Sequence, residues 1–149
     1  MNRSGPCPLL IVEDSDEDLR AVEMGLTRYG LPTSAIRRCT DGDDALDYIH
    51  QRSAYSPATA PRPGVVLLDL NLPGTDGRAV LAALKHDPEL RTIPVVIFTT
   101  SAEDRDISGC YEAGANAYVQ KPLVLKEFLA TVGLLAEHWC RTVVLPQTA

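Results

Sequence analysis

Five polar residues lie at or near the ends of short apolar runs in this sequence, and their types point to metal and phosphate chemistry. They are three carboxylates, a hydroxyl and an amine: Glu13, Asp14, Asp69, Thr99 and Lys121. Clustered carboxylates repel one another, which favours a divalent cation with oxygen ligands, and Mg²⁺ typically takes one or two carboxylates and keeps phosphate oxygens and waters. Lysine pairs with phosphate as a point charge, and threonine can donate to a phosphoryl oxygen. Since a carboxylate can become an aspartyl phosphate, the simplest hypothesis is that Asp69 accepts a phosphoryl group beside Mg²⁺.

The apolar runs that precede these residues are typical of buried parallel strands. Four of them are continuous and mostly β-branched or aliphatic, over residues 9–12, 65–68, 95–98 and 117–119. Runs without polar alternation indicate strands that are buried on both faces. A weaker strand is predicted over Ser34–Cys39, where Arg37 and Arg38 suggest a position at the edge of the sheet.

Segments with helical periodicity separate these strands. The first has Ser15 or Asp16 as its N-cap and Gly30 just past its end. Four more helices are expected over residues 43–52, 78–86, 103–113 and 124–141. The last of them carries an apolar stripe at Leu125, Phe128, Leu129, Val132, Leu135 and Trp139. Five alternating β–α units predict an α/β fold, a doubly wound (βα)5 parallel sheet with helices on both faces.

This fold would bring the polar residues together. In open parallel α/β sheets, ligands bind in the crevice beyond the carboxyl ends of the strands. One aspartate at a strand end is usually an ordinary surface residue, but five polar residues at four strand ends favour a functional site. The neighbouring acids Asp16, Glu17 and Asp18 are interpreted differently, as solvated residues that suit the dipole of a helix's first turn.

At these residues the sequence resembles the receiver domains of two-component response regulators. The matching stretches are IVEDSDED, VVLLDLNLPGTDG, PVVIFTTSA and GANAYVQKPL, in the family's order and spacing. The resemblance covers about Leu9 to Trp139. It implies a flavodoxin-like sheet of strand order 2-1-3-4-5 and a domain over residues 9–141, between an N-terminal tail at 1–8 and a C-terminal tail at 142–149.

The resemblance also implies a role for each residue of the site. Asp69 would be the phosphoacceptor. The carboxylates of Asp14 and Asp69 and the backbone carbonyl of Asn71 would bind Mg²⁺, which Glu13 would contact through a water. Lys121 would pair with the phosphate.

The same resemblance implies a switch and a phosphoryl donor. Thr99 would move toward the phosphate after transfer, and Tyr118 matches the aromatic switch residue that turns inward when that threonine moves. The donor would be a phosphohistidine on a sensor histidine kinase. Because ten residues follow Trp139, we expect a stand-alone receiver that signals by contact with an unidentified downstream protein.

Two features narrow this expectation to the receivers that partner phytochrome-type sensor kinases. They are a proline-containing insertion at Ser53–Gly64 and a tail at Trp139–Pro146. The apolar residues 143–145 of this tail could fold back on the domain or cover a partner chain. Exposed apolar positions are also expected on the fourth and fifth helices, which suggests a homodimer through the fourth helix, the fifth strand and the fifth helix. These positions are Tyr111, Leu134 and Leu135.

Composition excludes several classes of partner. The 149 residues include 20 Asp and Glu against 14 Lys and Arg, a net charge of −6. Binding to a phosphate backbone needs a basic face, so nucleic acid is not expected as the ligand. No apolar run approaches the roughly 18 residues of a membrane span. The N-terminus lacks the pattern of a signal peptide, so a cytoplasmic location is expected.

Three alternatives share parts of this pattern. Phosphatases of the haloacid dehalogenase type need a second Asp two residues after the nucleophile, where this sequence has Asn71. Flavodoxin-type cofactor binding needs a phosphate loop after the first strand, and the EDSDED segment there would repel phosphate unless a metal intervened. A receiver that binds partners without phosphorylation is disfavoured, because the acidic pair, acceptor, threonine and lysine are all present.

Overall fold

The structure is a computed structural model that describes residues 8–147, in which a parallel sheet is covered by helices on both faces. Apart from Pro8, the predicted N-terminal tail lies outside the described residues. The elements alternate along the chain as β1 Leu9–Val12, α1 Asp16–Tyr29, β2 Ile36–Cys39, α2 Gly42–Ile49, β3 Val65–Leu68, α3 Gly77–His86, β4 Val95–Thr99, α4 Asp104–Glu112, β5 Ala117–Gln120 and α5 Leu125–Glu137. A 3-10 turn, Thr33–Ala35, precedes β2, and a π-helical turn, His138–Thr142, follows α5.

The sheet has the strand order β2-β1-β3-β4-β5, with every neighbouring pair parallel. Alternate residues of each strand point to opposite faces. Leu10 and Val12 of β1 therefore pack in the core under α2, α3 and α4, while Leu9 and Ile11 pack under α1 and α5. The predicted doubly wound α/β fold and its 2-1-3-4-5 order are confirmed.

Helix α1 begins and ends where the sequence predicts. Ser15 is the N-cap, and its hydroxyl accepts a hydrogen bond of 3.2 Å from the backbone N–H of Asp18. Gly30 ends the helix in the left-handed region, at φ 108°, which residues other than glycine adopt only at a cost.

Some predicted element bounds and exposures were wrong. Strand β5 is only half-buried, because it lies at the edge of the sheet and has a neighbour on one side. Strand β2 is the other edge, as predicted, but it begins at Ile36 because Ser34 lies in the 3-10 turn. Helix α2 ends at Ile49 rather than at residue 52. The helix cannot continue to residue 52, because Gln51 adopts a positive φ of 53°.

Helix α5 also departs from its predicted pattern. Leu125, the first residue of the helix, is exposed rather than buried on the apolar stripe. Leu135 was expected on the surface, but it is half-buried against the α1–α5 core. The helix changes to π-helical geometry at His138, so the predicted end at residue 141 falls in this last turn.

The insertion and the tail both pack against the domain. In the insertion, Ala60 is buried and the Tyr55 hydroxyl donates to Asp44 of α2 over 2.7 Å. In the tail, Leu145 packs against the α1–α5 core, whereas Val144 stays 75% exposed. The tail therefore does fold back on the domain, but it leaves one apolar side chain at the surface.

Helices α1 and α5 approach closely at Gly25, and this contact yields a matched pair of substitutions. A Cβ at Gly25 would lie 2.8 Å from Val132 Cγ1, whereas a Cβ at Gly133 of α5 would meet nothing within 4 Å. We expect Gly133→Ala to raise the free energy of unfolding by about 0.5–1 kcal/mol through helix propensity. Gly25→Ala should lower it by about 1 kcal/mol, because overpacking outweighs that gain. Urea unfolding measures both, and equal stabilisation by the two variants would contradict the close packing.

Candidate functional site

The carboxyl ends of the strands place four buried polar side chains together. Glu13 follows β1, Asp69 follows β3, Thr99 ends β4 and Lys121 follows β5. Within residues 8–147, these four are the buried polar or charged side chains. Burying charge is costly unless the charge is paired and hydrogen-bonded, so their concentration at one sheet edge marks the candidate site.

Lys121 is the centre of the site. Its Nζ donates to both carboxylate oxygens of Glu13, at 3.0 and 3.2 Å, and to Asp69 Oδ2 at 3.0 Å. It also donates to Asp18 Oδ2 at 2.9 Å. One ammonium therefore bridges three carboxylates carried by β1, β3 and α1, and only the Asp18 side chain is substantially exposed, at 33%.

This arrangement separates the pKa values of the two buried carboxyls. Burial and, to a lesser degree, a hydrogen bond with Asp69 together raise the pKa of Glu13 to about 8, against the opposing charge of Lys121. Burial also acts to raise the pKa of Asp69, but hydrogen bonds from Glu13 and Lys121 outweigh it and lower that pKa. Asp69 is therefore the ionised member of the pair, and Glu13 holds the proton at neutral pH.

The lysine keeps its charge despite burial. Burial alone would lower the pKa of Lys121, but the hydrogen bond to Asp18 and the charges of Glu13 and Asp69 raise it above the ordinary value. The site thus combines an ionised carboxylate with a fixed ammonium 3.0 Å away. This pair can offer an attacking oxygen beside a positive charge.

A cation could bind next to this pair. Glu13, Asp14 and Asp69 each offer a carboxylate oxygen, and these oxygens lie within 4.8 Å of one another. Asp14 is exposed, so the group opens to solvent on its side. Asn71, the fourth predicted ligand, is exposed too, and its backbone N–H donates to Asp69 Oδ1 at 3.3 Å. Such an oxygen-rich donor set suits a hard divalent ion.

Asp16, Glu17 and Asp18 lie in the first turn of α1, where acids suit the helix dipole, but this interpretation is incomplete. Asp18 binds Lys121, and Asp16 pairs with Arg38 Nη1 of β2 over 2.7 Å, so Glu17 alone among the three fits that interpretation.

Thr99 ends β4 within the site, and Tyr118 lies on the neighbouring strand β5. The hydroxyl of Thr99 is fully buried and lacks a hydrogen-bond partner within residues 8–147, an arrangement that leaves it free to bind an incoming oxygen. The Tyr118 hydroxyl donates to the backbone carbonyl of Ser101 at 2.9 Å. Ser101 Oγ in turn donates to Asp106 Oδ2 at 2.6 Å, and Arg78 of α3 pairs with that carboxylate.

An open groove of about 440 Å³ adjoins the site between α1 and the segment that follows β5. Lys121 lines it together with the exposed apolar side chains of Met24, Leu123 and Leu125. In the described part of the chain, no helix combines the length and apolar character needed to cross a bilayer.

Comparisons with known proteins agree on one family. The model of the response regulator receiver domain matches residues 9–133. Response regulator Rcp1 of Synechocystis sp. is 40% identical over 141 residues, which cover 95% of this chain and 94% of that protein. The crystal structure of its Mn²⁺-bound form superposes with a TM-score of 0.88 at 38% identity, covering 95% of this chain and 100% of that one. The phosphorylated cyanobacterial phytochrome response regulator RcpA superposes with a TM-score of 0.90 at 37% identity, covering 96% and 100%.

The raised pKa of Glu13 predicts how stability depends on pH in the metal-free protein. Glu13 ionises near 4.5 in the unfolded chain and near 8 in the folded protein, so the folded state holds an extra proton between these values. Its stabilising effect is therefore lost as the pH rises through this window. We expect the free energy of unfolding to fall by about 2 kcal/mol from about pH 5.5 to about pH 7.5.

Urea unfolding in EDTA at several pH values measures this slope. Glu13→Gln cannot ionise, and its stability should be nearly constant over the same window. A wild-type profile as flat as that of the variant would show that Glu13 is already ionised in the folded state.

Proposed function

The chain belongs to the response regulator receiver domain family, and from this premise we propose that Asp69 accepts a phosphoryl group from a phosphohistidine of a sensor histidine kinase. One observation carries the proposal: the ionised Asp69 lies 3.0 Å from a buried lysine at the carboxyl edge of the sheet. The buried hydroxyl of Thr99, at the end of the neighbouring strand, supports it.

In the proposed transfer, an Asp69 carboxylate oxygen bonds to phosphorus as the bond from phosphorus to the donor's histidine nitrogen breaks. The electron pair of the broken bond stays on the imidazole nitrogen. Such transfers need positioning and stabilisation of spreading negative charge more than covalent assistance. Lys121 supplies a positive charge beside the attacking oxygen, and it exchanges part of its contact with Asp69 for the new phosphoryl oxygens.

We assign the cation site to Mg²⁺, held by the carboxylates of Asp14 and Asp69 and by the Asn71 backbone carbonyl, with Glu13 contacting it through a water. Three convergent carboxylate oxygens fit a divalent ion, and similarity to the Mn²⁺-bound Rcp1 supports this assignment. When bound, Mg²⁺ supplies charge neutralisation for the acceptor and the phosphoryl oxygens.

Phosphorylation would be communicated toward α4. The Thr99 hydroxyl would move to donate to a phosphoryl oxygen and gain the partner that it lacks. Tyr118 would follow this movement as the aromatic switch residue; in this structure it already packs against the core and donates to the Ser101 carbonyl. Because Ser101 is bonded to Asp106 at the first turn of α4, a shift of the loop after β4 would also move that helix.

The donor we propose is a phytochrome-type sensor kinase, since RcpA, similar over nearly the whole chain, is a phytochrome response regulator. The groove beside Lys121 offers exposed apolar side chains for docking the kinase. We place the protein in the cytoplasm with its kinase, and its output in contact with a downstream protein. Hydrolysis of the kind catalysed by haloacid dehalogenase phosphatases is disfavoured, because Asn71 replaces the second aspartate.

Phosphorylation of Asp69 can be tested with acetyl phosphate and Mg²⁺. We expect the wild-type protein to gain the mass of one phosphoryl group, and Asp69→Asn to gain none, because the amide is not a nucleophile under these conditions. Asp104→Asn, at an exposed aspartate on α4, is the control and should be modified like the wild type. Intact-mass spectrometry reads all three, and equal labelling of Asp69→Asn would contradict the assignment.

We also propose that the chain forms a homodimer through α4, β5 and α5. Tyr111 on α4 is 50% exposed and Leu134 on α5 is 71% exposed, which leaves large apolar side chains at this face. Large exposed apolar side chains of this kind are typical of interaction surfaces.

Sedimentation velocity at tens of micromolar tests the dimer. We expect the wild type to sediment as a dimer and Leu134→Glu to sediment as a monomer, because a charge would be buried in the interface. Lys126→Glu, at an exposed position of the same helix, should leave the dimer intact. A monomeric wild type would contradict the proposal.

A further inference from the structure

The segment that carries Asp14 is held at both ends by one side chain from the neighbouring strand. We propose that this side chain, Arg38 of β2, is a positioning residue for the cation site. The inference rests on the proposed function, because it concerns the Mg²⁺ that Asp14 would bind. It adds a residue outside the set of ligands, on a different β–α unit.

The contacts of Arg38 straddle Asp14. Its Nε donates to the backbone carbonyl of Glu13 at 3.0 Å, and its Nη1 pairs with Asp16 Oδ1 at 2.7 Å. Glu13 lies just before Asp14, and Asp16 is the first residue of α1. The guanidinium therefore ties the end of β1 to the start of α1 across two intervening residues, Asp14 and Ser15.

The position of the Asp14 carboxylate depends on how the backbone around it is held, and Arg38 adds to the backbone bonds from Glu13 N–H to Cys39 and from Leu19 N–H to Ser15. Within residues 8–147 that carboxylate makes no hydrogen bond or ion pair, whereas Glu13 and Asp69 are both bound to Lys121. The position of an exposed side chain of this kind is set by its backbone. Fixing both ends of a short loop lowers the entropy lost when the side chain binds a cation.

The chemistry of arginine suits this role. Its planar guanidinium presents several donors in a fixed geometry, so one group can bind a carbonyl and a carboxylate at once. The Arg38 side chain is only 22% exposed, while its partner Asp16 is 73% exposed. Of the two partners, Arg38 is therefore the one whose position is fixed by packing, and the exposed Asp16 is held by its contact with Arg38.

The positive charge of Arg38 and its proposed positioning of Asp14 have opposite effects on cation affinity. The direction in which affinity changes when Arg38 is removed therefore tests the inference. A positive charge near the carboxylates repels Mg²⁺, so removing Arg38 would tighten binding if charge were its only contribution. If Arg38 positions Asp14, removing it weakens binding even though a repelling charge is lost. Mutating a residue that hydrogen-bonds to metal ligands commonly lowers metal affinity by about tenfold or more.

The experiment is an Mg²⁺ titration of the full chain by calorimetry, with thermal melting to confirm folding. We expect Arg38→Met to raise the Kd for Mg²⁺ about 5- to 10-fold. Arg38→Lys should also raise it, because an ammonium keeps the charge but cannot replace the fork of donors. Arg37→Met is the matched control: Arg37 donates to the carbonyls of Ser34 and Ile36, away from the loop, so its Kd should be unchanged or slightly lower.

A second pair of variants covers the case in which Arg38→Met does not fold. Asp16→Asn and Glu17→Gln each remove one negative charge from the first turn of α1, but only Asp16 contacts Arg38. The inference predicts that Asp16→Asn weakens Mg²⁺ binding more than Glu17→Gln does. Equal effects of these two variants would overturn it.

The phosphorylation rate distinguishes a loss of Asp14 positioning from a general disruption of the site. At saturating Mg²⁺, the rate of phosphorylation of Arg38→Met by acetyl phosphate should return to within about twofold of the wild-type rate, because only the ordering of Asp14 is lost. If wild type binds Mg²⁺ and Arg38→Met binds it as tightly or more tightly, the role of Arg38 is wrong and the proposed function stands. A wild type that binds no Mg²⁺ overturns both.

Discussion

One buried ammonium must be shared among carboxylates from three parts of the chain, and the rest of the site depends on this constraint. Lys121 lies 108 residues from Glu13 and 52 from Asp69 in sequence, yet it bonds to both within 3.2 Å. Buried charge is stable only when it is paired and hydrogen-bonded. The parallel register of β1 and β3, and the crossover that returns the chain to β5 at the far edge, serve to complete this pairing.

The same constraint makes the site responsive to charge. Carboxylates outnumber the lysine, so one proton stays on Glu13, and a bound cation would take its place. Asp69 remains ionised because its neighbours donate to it, which keeps the proposed nucleophile ready. In the proposed transfer, Lys121 would gain new acceptors, and the Thr99 hydroxyl, which has no hydrogen-bond partner within residues 8–147, would gain one. Changes at the acceptor can then reach α4 through the loop that holds Ser101.

The sequence predicts the strands and the residues at their ends, but not the contacts that depend on how the elements pack together. Apolar runs that end in a polar residue predict both the strands and the side chains at their carboxyl ends, so Glu13, Asp69, Thr99 and Lys121 were found from pattern alone. The parts that Asp18 and Arg38 play could not be found that way. Asp18 reaches the lysine because of the direction in which α1 leaves the sheet, and Arg38 reaches the β1–α1 loop because β2 pairs with β1. Both depend on tertiary geometry that periodicity does not encode.

The most direct test of the central claim is a crystal structure with Mg²⁺ and beryllofluoride, which imitates the phosphoryl group on a carboxylate. The account predicts beryllium bonded to an Asp69 oxygen, with Lys121 Nζ and Thr99 Oγ1 each donating to a fluoride. It also predicts Mg²⁺ bound by Asp14, Asp69 and the Asn71 carbonyl. Beryllofluoride bound elsewhere, or a Lys121 that keeps its present bonds to Glu13, Asp18 and Asp69 unchanged, would contradict the account.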